Sequence, residues 1–188
     1  MTPQPPTGGA ELAALIAVAE WAIFLGPAVL TYLWVFGGGA DRRSAVGAGL
    51  AALAGLALSG AISAVWYVPR PFADGSIANV LGHAADGSFP SDHATFLFCL
   101  AFALWFSPPP KWPRASWAMA ACALAVGFAR VRLGVHHPAD IAGAALIGLG
   151  CGALSCRGLT LWLGDALTAW GGRAYAATLA LVGLGRWS

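Results

Sequence analysis

Three short runs of the chain carry side chains suited to handling a phosphate. They are Pro69-Arg70-Pro71, the stretch His83-Ala84-Ala85-Asp86-Gly87-Ser88-Phe89-Pro90-Ser91-Asp92-His93, and Arg130-Val131-Arg132-Leu133-Gly134-Val135-His136-His137-Pro138-Ala139-Asp140. An imidazole with a free ring nitrogen can attack phosphorus, a second imidazole can deliver and remove a proton, and guanidinium groups stabilise charge on phosphoryl oxygens. Asp140 follows His136 by four residues, close enough to hold that imidazole in one tautomer. Ser91 is a favoured N-cap ahead of an apolar stretch, so a helix opening there points free backbone N–H groups outwards, as an anion site requires. Pro138 suits the first turn of another helix, where its missing N–H costs little. The division of labour makes His136 the nucleophile, oriented by Asp140. His93 protonates the departing oxygen and then activates water, while Arg70, Ser91 and Arg130 contact the phosphate. This scheme calls for neither metal nor cofactor, because the arginines supply the positive charge.

Taken one at a time, these residues have plainer explanations. Arg132 reads as a headgroup-level anchor, His83 and His137 as satisfied polar residues near helix ends, and Ser91 as a helix cap. Asp92 reads as a favourable charge in a first helical turn. The coincidence of all three clusters on one side of a membrane bundle favours the joint reading.

The elements that position them are apolar helices. Of 188 residues, 59% are hydrophobic and 10% charged, against about 25% charged in a typical soluble domain. The net charge of +2 comes without a basic tract, which excludes a nucleic-acid footprint and leaves membrane lipids as the surroundings. Cys99, Cys122, Cys151 and Cys156 all lie in apolar stretches without Cys-x-x-Cys spacing and read as small packing residues. The Met1 to Gly9 segment is rich in proline and lacks lysine and arginine, unlike the flank of a secretory signal peptide, so the first apolar segment is expected to be retained.

Apolar runs cover Leu12–Phe36, Ala45–Trp66, Ala94–Phe106, Ala115–Ala129 and Ala139–Cys156. Spanning a bilayer as a helix takes about 20 residues, and the short third and fourth runs can extend through polar flanks that line a protein site. Leu159–Leu184 is apolar but carries Asp165 and Arg173, so it either spans or lies in the interface. Alternate assignment of the connections collects Arg42, Arg43, Lys111, Arg114 and Arg157 on one side, the cytoplasmic one by the positive-inside rule. The other side holds Val68 to Asp92 and Val131 to Pro138. The expected fold is therefore all-α: a single domain over residues 1–188, a polytopic bundle of five or six transmembrane helices with its active site at the outer membrane–water interface. Small residues at helical spacing, Ala51, Gly55, Ser59 and Ser63 and then Gly148 and Gly152, allow close helix packing. Gly148 to Ala153 also fits a loose dinucleotide-binding pattern, but it lies in an apolar helix with no strand before it.

The three clusters resemble the signature of the type 2 phosphatidic acid phosphatase superfamily: Lys-x6-Arg-Pro, Pro-Ser-x-His and Arg-x5-His-x3-Asp. Here they read Arg70-Pro71, Pro90-Ser91-Asp92-His93, and Arg130 through His136 to Asp140. Within it, Pro69-Arg70-Pro71-Phe72 and the His83 to His93 stretch look most like bacterial undecaprenyl diphosphate phosphatases of the bacitracin-resistance type. The resemblance implies metal-independent removal of one phosphate from an isoprenoid lipid diphosphate on the outer face of a bacterial cytoplasmic membrane. It implies His136 as nucleophile, His93 as acid and base, Asp140 as orienting carboxylate, and Arg70, Ser91 and Arg130 as phosphate contacts. One departure stands out: the motif lysine falls at Ser63. His83 or Arg132 is the candidate replacement, reaching a second phosphate. The same residues would serve a phosphatase for phosphatidylglycerophosphate, phosphatidic acid or lipid A phosphate, or a lipid phosphotransferase. A catalytically dead scaffold or a transporter is disfavoured by the intact His93, His136 and Asp140 and by the absence of internal repeats. Nothing in the sequence signals a particular homo-oligomer.

Overall fold

The computed structural model describes residues 8–107 and 113–181, and every regular element among them is helical. Lys111 and the tail of the last apolar stretch, 182–184, lie outside the described residues. Helix α1 (Gly9–Trp21) passes through a short 3-10 turn, Ala22–Phe24, into α2 (Leu25–Phe36). Then come α3 (Gly39–Val65), α4 (Asp92–Phe106), α5 (Pro113–Arg132), α6 (Pro138–Leu154) and α7 (Gly158–Leu181). Gly9–Phe36 and Gly39–Val65 are long and apolar enough to cross a membrane, and α4 and α6 are shorter apolar helices. With a charged fraction of 10%, the chain reads as an integral membrane protein. The first apolar run, Leu12–Phe36, is interrupted by the 3-10 turn.

Local sequence sets the helix ends that matter. Asp41 accepts the Gly38 N–H at 2.8 Å at the start of α3. Ser91 is the extended N-cap of α4, its carbonyl accepting the Thr95 N–H at 2.8 Å. Pro138 occupies the first turn of α6, and Asp140 accepts the His137 N–H at 2.7 Å. The end of α5 needs Gly134: its φ of 72° is left-handed, a region where a Cβ is penalised.

Helix α4 is the centre of the bundle, packed by α3, α5 and α6, with Leu97, Cys99 and Leu100 fully buried. Between helices in lipid the apolar driving force is weak, so close approach through small residues holds the packing. A Cβ on Gly148 would lie 2.5 Å from Phe98 Cβ, and one on Gly152 would lie 2.6 Å from Phe102 Cβ. On α3 the expected small-residue stripe is buried at Ala51, Gly55 and Ser59, joined by Ala48 and Ala52. Helix α1 runs antiparallel beside α5: Glu11 pairs with Arg132 at 2.7 Å, and further along Ala22 O accepts from the Cys122 thiol at 3.4 Å. Helix α7 packs on α3, where Arg43 pairs with Asp165 and Arg42 lies over the rings of Trp34 and Tyr175.

Candidate active site

The two long-range loops meet at the ends of α3 to α6. In the first, Val68 O accepts the Ser88 N–H at 2.8 Å and Pro69 bridges Gly87, so residues 68–88 fold back on themselves. Asn79 clamps His83 with two hydrogen bonds, Nδ2 to His83 O at 2.7 Å and His83 N to Oδ1 at 3.1 Å. The second loop is the short turn between Arg132 and Pro138. Arg70 ties the loops together, its Nη1 donating to Val135 O at 2.9 Å.

His136 is buried, 3% exposed, at the join. Its Nδ1 lies 2.9 Å from Ser88 O and 3.3 Å from Asp140 Oδ2, and both oxygens can only accept. The proton therefore sits on Nδ1 and the lone pair on Nε2. Arg70 Nη1, a donor, stands 3.4 Å from that Nε2, which agrees with the same tautomer and puts a guanidinium beside the nitrogen that carries the lone pair. Burial pushes the imidazole below its usual pKa; the Asp140 hydrogen bond pulls it back, and the charges of Arg130 and Arg70 push it further down. The lowered pKa favours the neutral imidazole, the form in which Nε2 keeps its lone pair.

Arg130 is 2% exposed. Its Nη2 donates to His83 Nε2 at 2.8 Å, so His83 carries its own proton on Nδ1. Nη1 reaches Ala19 O at 3.2 Å and Glu20 Oε1 at 3.4 Å. Burial, then Arg130 and Arg70, hold the His83 pKa below the usual histidine value, with Glu20 opposing. His93, in the first turn of α4, lies within electrostatic reach of Arg130, His136, His83 and Arg70. Ser91 Oγ is fully buried without a hydrogen-bond partner among the described residues, free to donate to a ligand oxygen. Asp92 ties α4 to α3, accepting from Ser59 Oγ at 2.6 Å.

All seven residues singled out from sequence, His136, His93, Asp140, Arg70, Ser91, Arg130 and His83, thus join one cluster. Arg132 is turned away, paired with Glu11. Ser63, at the expected lysine position, packs under Gly87, where an added Cβ would meet its Oγ at 2.9 Å. Sequence reading missed three groups: the Ser88 carbonyl; Asp86, which accepts from Arg70 Nε at 2.8 Å; and Glu20. Among the described residues, no three His, Cys, Asp or Glu side chains are grouped to hold a metal ion.

Residues 44–163 match the PAP2 superfamily profile. Undecaprenyl-diphosphatase BcrC of Bacillus subtilis is 32% identical over 143 residues, covering 76% of this chain and 72% of that protein. A lipid A 1-phosphatase of Rhizobium johnstonii is 42% identical over 80 residues, covering 42% of this chain and 29% of the relative. Among solved structures, Aquifex aeolicus LpxE superposes with a TM-score of 0.64 at 24% identity, covering 79% of this chain and 86% of that one, a likeness of fold. With the family's profile matched from the start of the second apolar run through the start of α7, the chain belongs to the PAP2 superfamily.

Proposed function

We propose that this chain is a lipid phosphatase that converts undecaprenyl diphosphate to undecaprenyl phosphate through a phosphohistidine, at the outer face of a bacterial cytoplasmic membrane. The observation that carries the mechanism is the His136 imidazole, its Nδ1 proton held between Ser88 O and Asp140 and its Nε2 lone pair beside Arg70. Nε2 attacks the distal phosphorus, a P–N bond forms, and the bond to the bridging oxygen breaks. Arg70, Arg130 and Ser91 stabilise the phosphoryl oxygens while His93 protonates the departing lipid phosphate. His93, now neutral, takes a proton from water, which attacks phosphorus, breaks the P–N bond and releases inorganic phosphate. Pairing with Arg130 fixes the proton of His83 on Nδ1, where it can donate to an oxygen of the second phosphate and stand in for the lysine replaced by Ser63.

Support for the substrate comes from the 32% identity to the Bacillus subtilis undecaprenyl-diphosphatase, which extends over most of both chains. The lipid A 1-phosphatase likeness makes lipid A phosphate the competing substrate on the same residues. The deciding measurement is phosphate release by the purified chain in detergent, from undecaprenyl diphosphate and from lipid A, for wild type and His136→Ala, with and without a chelator. Chelator-resistant release from the isoprenoid diphosphate, lost in His136→Ala, is expected. Faster turnover of lipid A would reassign the substrate, and release by His136→Ala equal to wild type would end the phosphohistidine scheme.

A further inference from the structure

Glu20 is the single charged residue between Leu12 and Phe36, and it lies outside the 44–163 stretch matched to the superfamily. A carboxylate inside an apolar span is costly to keep and marks function by default. Its Oε1 stands 3.4 Å from Arg130 Nη1 and 4.0 Å from His83 Nε2. Arg130 Nη1 also donates to the neighbouring Ala19 carbonyl at 3.2 Å. Two acceptors from one turn of α1 therefore grip one end of the guanidinium. At the other end Nη2 meets His83, and Nε is buried with no hydrogen-bond partner among the described residues. A guanidinium is a rigid plane of five N–H donors, so fixing Nη1 fixes where the remaining donors point.

We infer that Glu20 is a positioning residue for Arg130, anchoring its Nη1 end so that the donors on the Nε side meet a phosphoryl oxygen. This rests on the reading of Arg130 as a phosphate contact. Charge gives the role a distinctive signature. A carboxylate beside an anion site repels the substrate, so Glu20 does nothing to tighten ground-state binding. Its benefit falls on the transition state, where a correctly aimed guanidinium matters most. Removing it should lower kcat without raising KM.

A plainer role would be docking α1 on α5, and the molecule provides the control. Glu11 and Arg132 join the same two helices at 2.7 Å, away from the site, and Ala19, Ala129 and Leu133 form an apolar joint between them. The experiment measures kcat and KM for undecaprenyl diphosphate with the full chain in detergent, for Glu20→Ala, Glu11→Ala, Arg130→Lys and the Glu20→Ala/Arg130→Lys double variant. Glu20→Ala should lose about tenfold or more in kcat, with KM unchanged or lower, and Glu11→Ala should stay within about twofold of wild type. Once lysine has replaced the fork there is nothing to aim, so Glu20→Ala should add little to Arg130→Lys. Wild-type kcat in Glu20→Ala, an equal loss in Glu11→Ala, or full additivity with Arg130→Lys would each overturn the inference. Wild-type turnover by Arg130→Lys would instead remove Arg130 from the site and leave Glu20 without a role. Should Glu20→Ala not fold, Glu20→Met, which keeps the length of the side chain without an oxygen acceptor, carries the same test, read in the same kcat against KM split.

Discussion

The Nδ1 of His136 lies nearer the Ser88 carbonyl, at 2.9 Å, than Asp140, at 3.3 Å. A carbonyl oxygen cannot donate, so it keeps the proton on Nδ1 whatever stands at position 140. Asp140 is also engaged with the His137 N–H at 2.7 Å, closing the first turn of α6. Asp140→Ala should therefore slow turnover by about a hundredfold through lost orientation and lost stabilisation of the imidazolium, while His136→Ala abolishes it. Single-turnover rates compare the two. If Asp140→Ala were as inactive as His136→Ala, the carbonyl would not be sufficient to set the tautomer.

The pH dependence follows from the same site. In the proposed mechanism His136 attacks only when neutral, so activity falls as pH drops through its pKa. Burial lowers that pKa, Arg130 and Arg70 lower it further, and the Asp140 hydrogen bond opposes them. The acid limb of kcat/KM should then lie below the ordinary histidine value of about 6.5. In Asp140→Ala it should move lower still, because the opposing contribution is gone. An acid limb above the ordinary value, or one that rises in Asp140→Ala, would contradict this assignment.

Much of this site was legible in the chain because its residues come in compact clusters whose local structure is strongly biased. Ser91 before an apolar run and Pro138 with Asp140 two residues on both announce helix starts, and the helices begin there. What escaped depends on loop folding or on a lone residue. The Ser88 carbonyl reaches His136 only because Pro69 bridges Gly87 and Val68 receives the Ser88 N–H, and a backbone group has no sequence signature. Glu20 disappears in a hydropathy window, since one carboxylate barely changes the mean of an apolar run. Its isolation in that run was the available signal. Arg132, which the sequence offers both as a headgroup-level anchor and as a second-phosphate contact, lies two residues from Arg130, and residues two apart on a helix face opposite ways.

That helical parity separates the two candidates for the second-phosphate contact. His83 receives Arg130 Nη2 at 2.8 Å, whereas Arg132 is committed to Glu11. His83→Ala should raise KM for undecaprenyl diphosphate by about tenfold, the loss of roughly one charge-region hydrogen bond, and leave KM for a lipid monophosphate nearly unchanged. Arg132→Ala should change neither by more than about twofold. The comparison needs both substrates on both variants. A larger effect of Arg132→Ala on the diphosphate would transfer the contact to that arginine.

The turn joining Arg130 to His136 sets the spacing of cation and imidazole, and it depends on Gly134. Its φ is 72°, its N–H bonds Val131 O at 3.0 Å, and the next residue's N–H bonds Arg130 O at 3.1 Å. A Cβ there would also lie 2.7 Å from Ile77 Cγ2 in the facing loop. Gly134→Ala therefore bears two costs: about 1–2 kcal/mol for a left-handed alanine, and displacement of either Ile77 or the turn. Gly75 isolates the first cost, having φ of 78° with nothing within 4 Å of the added Cβ. Gly134→Ala should lower the melting temperature more than Gly75→Ala, and it should also reduce kcat, because moving the turn carries His136 Nε2 away from Arg70. Adding Ile77→Ala to Gly134→Ala relieves the contact but not the dihedral strain, so it should recover part of kcat. Equal effects of the two glycine substitutions on melting and on kcat would show that the Ile77 contact does not govern the turn.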